Sequence, residues 1–142
     1  MRKKVLGGLF VWICCLSLGM GTMGDQTAVK PPEPDVNYTA TVVDQDDVSL
    51  DLEKFTMDGQ TYLTGKLGKA DLSIDFEKIR SILFVTADGK TKAIVTLDDR
   101  KQVELTIEHD APFYGMSSFA DVRIGLQDIK KILITGRKRV GE

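Results

Sequence analysis

Residues 63–84 and 113–134 align with each other at an offset of 50, without a gap. Seven of the 22 aligned positions are identical: Gly65/Gly115, Ala70/Ala120, Asp71/Asp121, Ile74/Ile124, Ile79/Ile129, Ile82/Ile132 and Leu83/Leu133. Other apolar positions keep their character, as in Leu63/Phe113, Leu72/Val122, Phe76/Leu126 and Phe84/Ile134. A stretch repeated in this way is expected to build two similar units or one unit with internal symmetry. It specifies architecture rather than chemistry. Besides apolar residues the copies share only Gly, Ala and Asp, and no His, Cys or Glu occurs in both.

The repeat extends upstream if one loop takes five extra residues. At an offset of 55, Tyr38, Ala40 and Val42 match Ala93, Val95 and Leu97, and Val48, Leu50 and Leu52 match Val103, Leu105 and Ile107. Within each set every second residue is apolar, with polar ones such as Ser49, Asp51 and Glu53 between. Period two predicts strands with one buried face. The five extra residues fall around Thr56–Gln60 and read as a longer loop. Asp44–Asp47 and Asp98–Lys101 are acidic turns. At Phe76–Ile79 and Leu126–Ile129 the apolar spacing lengthens from two to three, which predicts a single helical turn before the last strand of each half. Asp88-Gly89 is a hairpin signal joining the halves.

Five short strands with a helical turn before the last resemble, in outline, the small SH3-like or Sm-like barrel, over about 50 residues of each half. The competing architecture is one β-sandwich in which each half gives a sheet. Fifty residues bury a marginal core, and neither half has a disulfide or metal staple. The expected fold is therefore all-β: a pseudo-duplicated β-sandwich or fused SH3-like barrels sharing a continuous core. The boundaries are a signal segment at 1–24, a proline-rich disordered linker at 25–36, repeats at 37–90 and 91–136, and a basic tail at 137–142.

The N-terminus predicts location. Met1–Lys4 is basic, Leu9–Leu18 is strongly apolar, and small residues at Gly19, Gly21 and Gly24 precede the first acid, Asp25. That order is a secretory signal peptide. Bulky residues before Cys14 and Cys15 argue against lipidation, and five glycines dilute the run as a membrane anchor. The chain is expected outside the cytoplasm, touching membrane only through this segment if it is retained. Its 19 Lys and Arg face 21 Asp and Glu; without Arg2, Lys3 and Lys4 the balance is 16 to 21, a net charge of −5. That sign argues against nucleic acid. Cleavage also removes both cysteines, leaving no thiol chemistry.

Catalytic inventory is thin. His109 is the only histidine. With Asp110, Ser117 and Ser118 near in sequence it allows a hydrolase on inventory alone, but Lys54 takes its place in the other half, so the ordinary reading is a polar strand end. One histidine cannot form the usual zinc sets, the acidic turns lack the EF-hand pattern, and no glycine-rich loop opens a helix. No cofactor, metal or catalytic residue is expected. Asp71 and Asp121, alike in both copies, are candidate binding carboxylates or turn-stabilising groups. The main difference between copies lies at Tyr114, Met116 and Phe119, which replace Thr64, Lys66 and Lys69. Aromatic and Met side chains on a polar background suggest a contact patch. The sequence thus points to a secreted, non-enzymatic β-domain: a binding or structural subunit of a cell-envelope or extracellular assembly with a protein partner, a homo-oligomer being compatible. A module for carbohydrate or wall polymer, using the same aromatics with Asp71 and Asp121, is the alternative.

Overall fold

The computed structural model describes residues 29–139, with only the backbone of Arg139. The predicted signal segment lies outside the described residues, and among those described no helix is long and apolar enough to cross a membrane. The chain is all-β. Its strands are β1 (Val36–Asp44), β2 (Ser49–Met57), β3 (Tyr62–Leu67), β4 (Ala70–Asp75), β5 (Ile79–Ala87), β6 (Lys90–Leu97), β7 (Gln102–Ile107), β8 (Pro112–Met116), β9 (Asp121–Gly125) and β10 (Ile129–Arg139). Single 3-10 turns at Phe76–Lys78 and Leu126–Asp128 precede β5 and β10, where the apolar spacing lengthens. The Asp88-Gly89 hairpin forms with both residues at positive φ, 54° and 76°, the twist a two-residue turn requires.

All ten strands join one curled antiparallel sheet in the order β4-β3-β7-β6-β5-β10-β1-β2-β8-β9. Exchanging each strand with the one five places later reverses this order and leaves it unchanged. The centre is the β5–β10 pair, where Ile82 faces Ile132. The order does not assign a sheet to each half, as a simple sandwich would. The β3–β4 hairpin adds to β7, and β8–β9 adds to β2.

The registers correct the upstream alignment. Val42 pairs with Ile132 and Leu50; Val95 pairs with Ile82 and Val103. Val42 therefore corresponds to Val95, an offset of 53 and not 55. The positive-φ turn residues Asp47 (64°) and Arg100 (73°) agree. Alternation cannot detect this error, because a shift of two residues restores every side chain to its face. Three extra residues remain, and they do not simply lengthen a loop. β2 carries a bulge between Glu53 and Thr56, with Lys54 at φ 52° and its N–H donated to Asn37 Oδ1 at 2.6 Å. The bulge resets the phase of the strand. Phe55, Thr56 and Met57 beyond it are all buried.

Phe55 is the centre of the core. It stacks on Phe113, with ring centroids 5.6 Å apart, and lies 5.5 Å from Phe76; Tyr38 meets Phe76 edge-on, and Phe84 meets Phe113. Residues of both halves form one hydrophobic cluster. Large and small side chains trade places between corresponding positions, Phe76 against Leu126 and Phe113 against Leu63, so total volume is kept without strict symmetry.

The ends also differ from expectation. Pro34 is buried and Pro31 and Pro32 are half-buried, so the last part of the proline-rich stretch is packed and not a free linker. Pro32 sits over Gly59, and Glu33 pairs with Lys54 at 2.8 Å. Proline loses little conformational freedom on docking. At the other end β10 continues to Arg139, paired with Val36, so Arg137 and Lys138 are strand residues rather than a tail. Arg137 is hydrogen-bonded to Glu77.

Candidate functional site

Strands β4 and β9 are the two edges of the sheet. Both are short and carry charges, Asp71 and Asp75 on one, Asp121 and Arg123 on the other, which discourages uncontrolled edge pairing. Each is held by a hairpin whose first strand contains a glycine. A Cβ on Gly115 would lie 2.8 Å from Leu52 Cβ; one on Gly65 would lie 2.9 Å from Ile107 Cδ1. The repeated glycine therefore lets each hairpin approach the neighbouring strand closely.

The hairpin tips are built differently. β3–β4 closes in two residues, Gly68 and Lys69, with Gly68 at φ 62°. β8–β9 closes through Ser117–Ala120, where Ser117 Oγ accepts from Ala120 N (3.0 Å) and Phe119 N (3.4 Å). A hydroxyl capping its own turn replaces the glycine. Phe119 is thereby held out at the apex, 81 % exposed.

Four of the five sequence-predicted binding residues share this hairpin. Tyr114 and Met116 are half-buried on β8, opposite Arg123 and Asp121 of β9. Asp71 is elsewhere, on β4 at the opposite edge, so Asp71 and Asp121 do not form one site. Their surroundings also differ. Asp71 faces Lys66 across the hairpin, at 3.4 Å from its Nζ, whereas Asp121 faces Met116.

Met116 forms one wall of an open groove of about 470 Å³ on the outer face of β10, β1, β2 and β8. Thr39, Thr41 and Thr135 contribute to it, with Asp51 and Glu53 of β2 and Ser118 of the turn. Thr39 and Thr135 hydroxyls bond each other at 3.0 Å, and Thr41 donates to Asp51 Oδ1 at 2.6 Å. Asp51 and Glu53 appear in the sequence only as outward members of an alternating strand; nothing in that pattern marks them as groove residues. Beside the groove, the hydrogen bond to Glu33, its charge and that of nearby acids hold the Lys54 ammonium above its ordinary range, against a small desolvation cost.

His109 is exposed in the connection between β7 and β8, near Lys66 and Asp71. Lys54 does not occupy its place in the other half, as an offset of 55 implied: Lys54 is a bulge residue within β2. Ser117 Oγ donates to Ala120 O at 3.0 Å. The acidic turns use their carboxylates locally. Asp44 Oδ1 accepts from Asp46 N and Val48 N, Asp99 Oδ1 from Lys101 N, and Asp47 pairs with Lys130. Among the described residues no cluster of His, Cys, Asp and Glu is arranged to hold a metal ion.

A family model described as "Uncharacterised protein" matches residues 34–137, and the chain belongs to that family. No curated protein and no solved structure matches it.

Proposed function

We propose that this protein is a non-enzymatic binding domain of a cell-envelope or extracellular assembly, and that the β8–β9 hairpin is its contact element. The observation that carries the reading is Phe119, an aromatic side chain 81 % exposed at the apex of a hydrogen-bonded turn. Placing it there gains no burial in the isolated chain, whereas a docked partner would bury it. Tyr114 and Met116 extend the patch along the same strand. In this reading the scaffold is a pair of SH3-like units that have exchanged their β3–β4 and β8–β9 hairpins, and the N-terminal segment directs export. The test is capture of partners from the source organism's envelope fraction by the tagged chain, followed by mass spectrometry. Replacing Tyr114, Met116 and Phe119 by Ser should abolish capture of a stoichiometric protein. Equal capture by wild type and variant would reject the hairpin as the contact.

The carbohydrate reading has less support. The threonine hydroxyls of the groove, on Thr39, Thr41 and Thr135, already bond to Asp51 or to each other.

A further inference from the structure

We infer that the groove beside Met116 receives a cationic polypeptide segment, with lysine or arginine side chains flanking an apolar one. This rests on the protein-binding reading of the β8–β9 hairpin and names the chemistry of its partner. The argument comes from comparing two places on the same molecule. The registers that relate Val42 to Val95 and Gly115 to Gly65 also relate this groove to a second surface, on β5, β6, β7 and β3. There, Lys92 lies 3.3 Å from Glu104, and Lys66 lies 3.4 Å from Asp71. Two carboxylates of that surface, Glu104 and Asp71, are thus paired from within the chain.

In the groove the carboxylates remain and the lysines are gone. Asp51 stands for Glu104 and Asp121 for Asp71, while Thr39 replaces Lys92 and Met116 replaces Lys66. A further acid, Glu53, replaces Thr106 and faces Met116 across the β2–β8 pairing. Among the described residues no basic nitrogen lies within salt-bridge distance of Asp51, Glu53 or Asp121. Two cations lie nearby: Lys54 is engaged by Glu33, and Arg123, two residues along β9 from Asp121, is within salt-bridge distance of none of the three carboxylates. An apolar wall, with an exposed aromatic on the same hairpin, thus adjoins three carboxylates: two whose related lysine partners have been substituted away, Asp51 and Asp121, and one added acid, Glu53. Charge complementarity specifies the occupant: side chains from another polypeptide at the places Lys66 and Lys92 fill on the related surface, and an apolar neighbour against Met116 and Phe119. The cations would also reach the ring face of Phe119.

The test is amide chemical-shift mapping of the ¹⁵N-labelled chain titrated to millimolar with a capped Lys-Leu-Lys-Leu peptide. Shifts should concentrate at Thr41, Asp51, Glu53, Met116 and Phe119, leave Lys66, Lys92 and Glu104 unmoved, and weaken with added salt. The E53Q/D121N double variant, at exposed positions, should lose about tenfold in affinity; its own spectrum reports that it is folded. No shift at millimolar peptide, equal shifts on the related surface, or unchanged affinity of the double variant would each overturn the inference. Spermidine binding the same amides as tightly would overturn the polypeptide assignment. If the peptide leaves the groove untouched while Phe119→Ser still abolishes partner capture, the cationic assignment fails and the protein-binding reading stands.

Discussion

Thr56 provides the sharpest test of the core. Its side chain is fully buried beyond the β2 bulge, and its Oγ1 has no hydrogen-bond partner among the described residues. A buried hydroxyl without a partner costs about 1–3 kcal/mol. Valine has nearly the same shape and the same β-branching, so Thr56→Val removes that cost without changing χ1 preference or strand propensity. The added methyl gains about 0.8 kcal/mol of apolar burial, part of which is lost if the site cannot expand. The net expectation is a stabilisation of about 1–2 kcal/mol. For a folded region near 100 residues this raises Tm by roughly 4 °C or more. Thr91 supplies the control. It is also buried, but its hydroxyl lies 3.3 Å from that of Thr86. Thr91→Val should therefore lose about 1 kcal/mol, the net contribution of one hydrogen bond. Urea unfolding followed by circular dichroism measures both. A Thr56→Val variant less stable than wild type would refute the reasoning, since it would mean the hydroxyl has a partner, such as an internal water.

Other expectations follow from single contacts. Gly115→Ala places a methyl 2.8 Å from Leu52 Cβ, which cannot rotate away, and should destabilise by about 1–3 kcal/mol; Gly65→Ala, whose tightest contact is the flexible end of Ile107, should cost less, and calorimetry of both will rank them. Burial, then the hydrogen bond to Asp75 Oδ1 at 3.1 Å, push the Tyr38 phenol up to about 12. A folded value raised above the unfolded one gives stability that is complete below about pH 10 and lost as pH rises through about 12. Tyr38→Phe should flatten that alkaline limb; an unchanged limb would assign it to another group. Phe119→Ser should leave the unfolding free energy in urea within about 0.5 kcal/mol of wild type, because the ring buries little surface in the isolated chain.

Period-two patterns located the strands, and the change from two to three located both 3-10 turns, because each is a local signal read along one segment. Partner choice was not local. Whether β3 lies beside β2 or β7 depends on how the chain closes, and no residue of β3 records it. The offset of 55 failed for a related reason: a two-residue slip preserves the facing of every side chain, so only the pairing registers distinguish it. Lys54 disguised the bulge as a strand end, since a charged residue between Leu52 and Phe55 reads as a break in the apolar alternation. At the candidate site, the substitution of Lys66 and Lys69 by Met116 and Phe119 was visible in the aligned copies. The loss of Lys92 in favour of Thr39 was not, because at an offset of 55 Thr39 is compared with Ile94.

The pairing of each half's hairpin with a strand of the other half makes a prediction about the halves themselves. Within residues 29–88 only β1 with β2 and β3 with β4 are strand partners; β5 pairs solely with β6 and β10, both in the second half. Two isolated hairpins and an orphan strand cannot form a stable sheet in water. The second half alone keeps β6 with β7 and β8 with β9, and its β10 has neither of its partners, β1 and β5. Cutting the chain between Asp88 and Gly89 should thus give two fragments that are unfolded separately. Mixed, they should assemble one to one, since the lost turn is an exposed connection and every pairing across the cut survives. The association would depend on fragment concentration, and its midpoint in urea would rise as both fragments are concentrated. A monomeric fragment with a cooperative unfolding transition of its own would contradict this reasoning, because it would require β3–β4 to find a partner inside its own half.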